Sequence, residues 1–427
     1  MRELTLLKKE LESGKYDGLF ADIYEDVSLT EYQRKRYIKL LELFEETFSE
    51  REVAVYSAPG RSEVCGNHTD HQKGQVLATS INLDAVAVVS YNDENKIRIV
   101  SDGYPMLRVD LTNLEKKAED EGTSVGLIKG VAYGLSKEGY RISGFNAYVT
   151  SDVLIGAGLS SSAAFETIVG TIISGLFNNM EISAVKIAQA GQYAENVFFG
   201  KPCGLMDQMA CSVGGLIHID FKDVKNPVVE KVTVDFGKYN HSLCIVDTKG
   251  SHQDLTADYA AVPKEMKEAA AYFGKEVLRE VDEREFYKNI SKVRSAVNDR
   301  AVLRAIHFFE ENRRVENIVE KLNEGNFEAF LQLIAASGNS SFKYLQNVYT
   351  NHDVANQGVS VGLAASELVL KGAGASRVHG GGFAGTIQAF VPDEMVEEYR
   401  EFMDNVFGKG SCHVLKVRKY GGMKVID

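Results

Sequence analysis

Around Val53 the chain changes texture, and this change constrains its fold more than any other feature. Before it, "LTLLKKELESG" and "EYQRKRYIKLLELFEETFSE" set apolar residues three and four apart between charges, the spacing of amphipathic helices. These are expected to pack on the body with their charged sides in water. From Val53 on, "VAVYSAPGR", "DAVAVVSY", "IRIVSDG" and "FNAYVTSD" are short β-branched runs that read as strands. Several of them precede the next clear helix, "SAAFETIVGTIISGLF". Strands grouped this way, without strict strand–helix alternation, predict an α+β layer arrangement and not a doubly wound sheet. The pattern is helical again from about Lys264 to Leu345, and "SRVHGGGFAGTIQAFV" then leads a glycine-rich turn into an apolar strand.

A length of 427 residues is long for one core and predicts two domains. The polar, proline-bearing "FKDVKNPVVEK" sets a soft boundary near 225. The expected division is a helical extension over 1–50, an N-terminal domain over 51–225 and a C-terminal domain over 226–427. The 60 acidic and 48 basic residues leave a net charge of -12, a poor footprint for nucleic acid, although a local basic pocket for an anionic substrate stays open. No apolar run reaches the length of a membrane span, and the charged start "MRELTLLKKELESGKYD" does not read as a secretory signal. The 5 cysteines are scattered, without a C-x-x-C pair, so a reducing cytoplasm is the expected setting.

Four segments are candidates for chemistry. "CGNHTDHQKG" packs two histidines, an aspartate, two amides and a lysine between two glycines. His68, Asp70 and His71 are too crowded in sequence to converge on one metal without a special turn. In "VLIGAGLSSSAAFE", Gly156 and Gly158 flank a turn before three serines and a helix start. Small residues let a phosphate approach the backbone, and a helix start offers free N–H groups and a positive dipole end. The G-K-[ST] ending of a Walker loop is missing, and on spacing alone the serines equally well only cap a helix. "AENVFFGKPCGLMDQMACSVGG" places Glu195 and Asp207 in apolar or small surroundings. Such acids either sit at structural turns or are kept for function, since burying an unpaired carboxylate is costly. "VHGGGFAG" puts four glycines before a strand, as a plain turn or a close approach to a ligand.

The order of these segments resembles the GHMP small-molecule kinases and, within them, the galactokinase family. "PGRSEVCGNHTDHQKGQVL" is similar to the family's G-R-x-N-x-I-G-E-H-T-D-Y signature, and "GAGLSSSAAFE" to its nucleotide-phosphate motif. "AENVFFGKPCGLMDQ" resembles A-E-x-x-F-x-G-x-x-C-G-x-M-D-Q, "GGGFAG" resembles G-G-G-F-G-G, and "RAIHFFEENRRV" resembles R-A-x-H-x-x-x-E-x-x-R-V. The resemblance runs from about residue 50 to the C-terminus, and the first fifty residues are longer than the usual lead-in. It implies a ribosomal protein S5 domain 2-like N-terminal domain, a ferredoxin-like C-terminal domain and an active site in the cleft between them. The implied activity is transfer of a phosphoryl group from ATP to the anomeric hydroxyl of galactose, with magnesium.

Carried over by position, Arg61 would stabilise the transferring group, and Asp207 would face the anomeric hydroxyl as base or electrostatic anchor. Gly156, Ala157, Gly158, Leu159, Ser160, Ser161 and Ser162 would wrap the ATP phosphates. Gly380, Gly381 and Gly382 would close the site, and Ser162 with Glu195 would hold magnesium. Asn67, His68, Asp70, Gly204 and Tyr259 would bind the sugar. The implied partners are a sugar and ATP, with no nucleic acid or membrane, in a monomer or weak homo-oligomer.

Departures from the family pattern concern the substrate. Galactokinases normally carry glutamate where Asn67 stands, near the sugar's C6 hydroxyl, and an aromatic residue where His71 stands. Ser251 replaces a basic residue ahead of His252, and Val262, Pro263 and Lys264 lie where paired arginines are expected. An amide beside C6 would not repel a C6 carboxylate, so galacturonate is the alternative to galactose. A non-catalytic sugar sensor is disfavoured because "SSSAA", Arg61 and Asp207 are all intact.

Overall fold

The computed structural model describes residues 1–427 apart from 155, 157 and 251–254. The strands are β1 (Arg2–Glu3), β2 (Glu52–Cys65), β3 (Gln75–Tyr91), β4 (Lys96–Ser101), β5 (Leu107–Asp110), β6 (Phe145–Ser151), β7 (Leu216–Asp220), β8 (Val228–Val232), β9 (His241–Asp247), β10 (Ala375–His379), β11 (Thr386–Pro392), β12 (Cys412–Leu415) and β13 (Met423–Ile426). The helices of the first half are α1 (Leu4–Glu12), α2 (Asp17–Tyr24), α3 (Thr30–Phe48), α4 (Ser124–Lys137), α5 (Ser161–Phe177), α6 (Ala184–Tyr193) and α7 (Met206–Val213). Those of the second half are α8 (Thr256–Ala271), α9 (Glu283–Lys288), α10 (Ile290–Ala296), α11 (Asp299–Asn323), α12 (Phe327–Ser340), α13 (Gly358–Leu370) and α14 (Val396–Phe407).

Two sheets organise the chain, with helices layered on them in the α+β arrangement that the grouped strands predict. The larger runs β1-β2-β3-β6-β4-β5, with β13 beside β2 and with β7 and β8 extending from β3. Its pairs are antiparallel except β4 with β6. The smaller runs β10-β11-β9-β12 and is antiparallel throughout.

The apolar run 85–89 of β3 has a direct cause: both of its faces are covered. Ala85, Ala87 and Val89 pack with Ile168 and Ile172 of α5, while Val86 and Val88 pack with Leu40, Leu41 and Phe44 of α3. Side chains alternate across a strand, so each face needs its own apolar set. The N-terminal helices are therefore a structural layer on the sheet and more than a solvated appendage. β9 repeats the scheme, with Leu243 and Ile245 toward α12 and with Cys244 and Val246 toward α13 and α14.

The boundary expected at 225 needs correction. β8 lies beyond it yet pairs with β7, Leu216 opposite Val232, so "FKDVKNP" is a hairpin loop and not a linker. The chain crosses to the second sheet only after Val232, and its end returns to the first, where β13 pairs with β2. One core cluster also joins Val64, Leu77 and Leu159 to Ile245, Phe330 and Phe390, so the two halves share buried apolar surface.

Candidate active site

Arg61 lies on β2 between two irregularities of the β2–β3 ladder, at Pro59/Arg61 and at Glu63/Cys65. Bulges of this kind bend a strand and re-aim its side chains. Here the guanidinium meets α7: Nε donates to Asp207 Oδ1 at 2.7 Å and Nη2 to Oδ2 at 2.6 Å. Ser160 Oγ donates to the same Oδ2 at 2.7 Å, and Arg61 Nη1 donates to the Gly158 carbonyl. Two residues 146 apart in sequence thus form a bidentate, charge-assisted pair, and the guanidinium keeps two further N–H donors. Burial acts to raise the Asp207 carboxyl, but Arg61 and Ser160 outweigh it and hold the group below its ordinary value.

Between β2 and β3, the loop carrying Asn67, His68 and Asp70 is gripped from the second half of the chain. Glu311 on α11 accepts from the Gly66 backbone N–H at 3.1 Å. His307, one helical turn earlier, donates Nε2–H to the Asn67 carbonyl at 2.9 Å. Arg377 on β10 pairs with Glu63 at 2.9 Å, both buried. The His68 Nε2–H donates to the Gly381 carbonyl at 3.0 Å, leaving Nδ1 as an acceptor. Burial, with His71 beside it, pushes the His68 imidazole down to about 4, so it is neutral at pH 7. Asp70 lies against Gly204: a Cβ there would come within 2.0 Å of Asp70 Oδ2, and only glycine admits that approach.

Asn67 differs from the other predicted sugar ligands. It is fully buried, and its amide is spent on protein: Nδ2 donates to Gly380 O at 2.7 Å and Glu63 Oε1 at 3.0 Å, while Oδ1 accepts from Asn347 Nδ2 at 2.7 Å. The carboxylate expected at position 67 is not lost from this region. Glu63 supplies one four residues earlier, where the similar signature carries asparagine.

The glycine loop after β10 is held by the same cluster. Tyr259 donates to Gly382 O at 2.9 Å and packs edge-on against Phe383, with ring centroids 5.4 Å apart. The Phe383 N–H donates to Asn347 O at 2.5 Å. A Cβ on Gly381 would strike the Tyr259 ring at 2.7 Å, which puts the predicted sugar and closing residues in contact.

α5 begins at Ser161 after Ser160 in the left-handed region (φ 57°), with no side chain capping its first amides. An N-terminus left this way is suited to an anion. Leu159 O accepts from the Arg61 N–H at 3.1 Å, which ties the loop to β2. The predicted contact at Ala157 and the departures at Ser251 and His252 lie outside the described residues. Behind the first turn, Gln208 Nε2 donates to both Glu195 Oε2 (2.9 Å) and Glu166 Oε2 (3.0 Å). Glu166 Oε1 is buried with no partner, and burial together with the Glu195 charge pushes that carboxyl well above its ordinary value. No group of three or more His, Cys, Asp or Glu suited to a metal occurs among the described residues.

Sequence reasoning missed Glu63, Glu166, Arg377 and His379, and it matched His307 and Glu311 to a motif without giving them a role. Glu166 was within reach, four residues after Ser162 on one helix face. His379 bridges Ser62 Oγ at 3.1 Å and Thr386 Oγ1 at 2.9 Å behind Arg61, a contact across 317 residues of sequence that no local pattern signals.

Residues 42–91 match the family description "Galactokinase galactose-binding signature", and residues 126–215 match "GHMP kinases N terminal domain". The galactokinase of Mannheimia succiniciproducens is 28% identical over 372 residues, spanning 86% of this chain and 92% of that protein. The galactokinase of Lactobacillus helveticus is 29% identical over 379 residues, spanning 86% and 93%. Among solved structures, the Lactococcus lactis galactokinase complexed with galactose superposes with a TM-score of 0.76 at 25% identity, covering 90% of this chain and 98% of that one. Methanococcus jannaschii mevalonate kinase shares the fold alone, with a TM-score of 0.60 at 15% identity over 86% of this chain and 98% of its own. The chain thus carries a galactokinase galactose-binding signature and a GHMP kinase N-terminal match over parts of its length, and is similar to galactokinases over most of it.

Proposed function

We propose that the protein transfers the γ-phosphoryl group of ATP to the anomeric hydroxyl of galactose, giving galactose 1-phosphate and ADP. The bidentate Arg61–Asp207 pair carries this reading, because it sets a cation and an ionised carboxylate side by side next to an uncapped helix N-terminus. Phosphoryl transfer needs positioning and electrostatic stabilisation more than covalent help. Asp207 accepts a hydrogen bond from the sugar hydroxyl and aims its oxygen. Held below its ordinary value, this carboxyl takes the proton only as the new P–O bond makes the hydroxyl acidic. Arg61 directs its two remaining donors at the transferring group. The α5 amides with Ser161 and Ser162 hold the nucleotide phosphates, and Gly380, Gly381 and Gly382 close over them. His68, Asp70, Gly204 and Tyr259 seat the sugar.

The oxygen donors of Ser162 and Glu195, with the partnerless Glu166 Oε1 nearby, fit a hard divalent ion such as magnesium. Bound there, the ion would offset charge on the phosphates.

Galacturonate loses its main support, since the Asn67 donors that would have met a C6 carboxylate are engaged and a second carboxylate, Glu63, stands 3.0 Å from that amide. ADP release with magnesium-ATP across galactose, galacturonate, N-acetylgalactosamine, arabinose and glucose tests the reading. Turnover on galactose with little on galacturonate is expected; the reverse would reject galactose as substrate.

A further inference from the structure

The helical extension touches the phosphate loop at its entrance. Tyr32 and Arg36 lie one turn apart on α3 and so share a face. Both reach Asp152, the residue between β6 and the loop: Tyr32 Oη donates to Oδ1 at 3.1 Å, and Arg36 Nη1 pairs with Oδ2 at 2.9 Å. Arg36 is buried and holds the neighbouring strand too, pairing with Asp84 Oδ1 at 2.7 Å and donating to the Asp84 carbonyl at 2.9 Å. That same carbonyl accepts from the Asp152 backbone N–H at 2.9 Å. Side chain and backbone of Asp152 are therefore both fixed.

Beyond it, Val153 is packed so closely on Gly60 that a Cβ there would meet its Cγ1 at 2.9 Å, and Leu159 is tied to Arg61. Val153 and Leu159 are thus held against β2, and Asp152 ahead of them is held by α3. Tyr32 and Arg36 precede residue 42, where the match to the galactokinase signature begins.

We propose that α3 is a positioning element for nucleotide binding: Tyr32 and Arg36 fix Asp152 and so preset the mouth of the phosphate loop. This rests on the kinase reading. Flanking residues already held in place lose less conformational freedom when the phosphates arrive, so the contact strengthens ATP binding without entering the chemistry. Sugar contacts lie on other elements and are untouched.

The test compares Tyr32→Phe and Asp152→Asn with the full-length wild type. The readouts are magnesium-ATP affinity by calorimetry, kcat and both KM values with galactose, and the melting temperature. Each variant should weaken ATP binding and raise KM for ATP by about three- to tenfold, the range that one or two partly exposed hydrogen bonds carry. In both, kcat and KM for galactose should stay within about twofold, since the contact is as strong in the transition state as in the ground state. Unchanged ATP affinity in both variants, or losses in kcat and both KM values that follow the melting temperature, would make the contact purely structural and overturn the proposal. If the wild type binds ATP but does not phosphorylate galactose, the substrate reading fails while the ATP affinities still decide this one. A folded wild type that binds no ATP overturns both.

Discussion

Asn67 and Glu63 show how a side chain can match a binding position in sequence and be committed elsewhere in space. With Asn67 Nδ2 at 3.0 Å from Glu63 and 2.7 Å from the Gly380 carbonyl, Asn67→Glu sets two buried carboxylates together and removes both donors. The expected cost is about 2–4 kcal/mol in urea unfolding, the range for an unsatisfied buried group or charge. Adding Glu63→Asn restores one acid and one amide and should recover much of it, and the double-mutant cycle reads that coupling directly. Strictly additive losses would show that the two residues do not act as a pair. For Asp207→Asn, kcat should fall on the order of 10²–10³-fold, the usual reach of a residue handling a reacting proton, with ATP affinity close to wild type. Steady-state kinetics beside calorimetry separates the two, and wild-type turnover would remove Asp207 from the mechanism.

At the scale of single elements, the loop after β10 separates two costs that glycine avoids. Gly380 and Gly382 both have positive φ, 66° and 81°. A Cβ on Gly380 meets nothing within 4 Å, whereas on Gly382 it would lie 2.0 Å from Asn347 O. Gly380→Ala should therefore cost only the backbone preference, about 1 kcal/mol. Gly382→Ala must also displace Asn347, which holds Asn67, so its melting temperature and kcat should both drop further. Equal effects of the two alanines would show that the Asn347 contact is not rigid. The helices α3 and α11 were legible from periodicity, because each buries one apolar stripe between charged residues. The pairing of β8 with β7 was not, because a polar stretch with a proline reads the same as a linker or as a hairpin loop.

Across the whole molecule, acid should loosen the seam between the two halves before it protonates the paired carboxylates. Burial lowers His68, His307 and His379: His68 to about 4, His307 beneath its ordinary value, and His379, near Arg61 and Arg377, well beneath it. Unfolded histidines take up protons near pH 6.5, so below that the unfolded chain binds more protons and stability falls as pH falls, the His68 share down to about pH 4. Asp207 and Glu311, whose burial is outweighed by Arg61 and Arg314 respectively, are also lowered, Glu311 to about 2, and their contribution is lost only below about pH 4. Thermal unfolding should show a lower melting temperature at pH 5 than at pH 7, and a flat profile over that window would contradict the buried neutral histidines. The sequence by itself determined the grouping of strands, the helical extension, the phosphate-loop and sugar-loop motifs and the Arg61 and Asp207 positions, because periodicity and short motifs are local. Only the tertiary structure decided that Asn67 faces protein, that Glu63 carries the nearby carboxylate and that α3 reaches the phosphate loop. Those outcomes depend on which partners, tens to hundreds of residues away, the packed layers bring within hydrogen-bond distance.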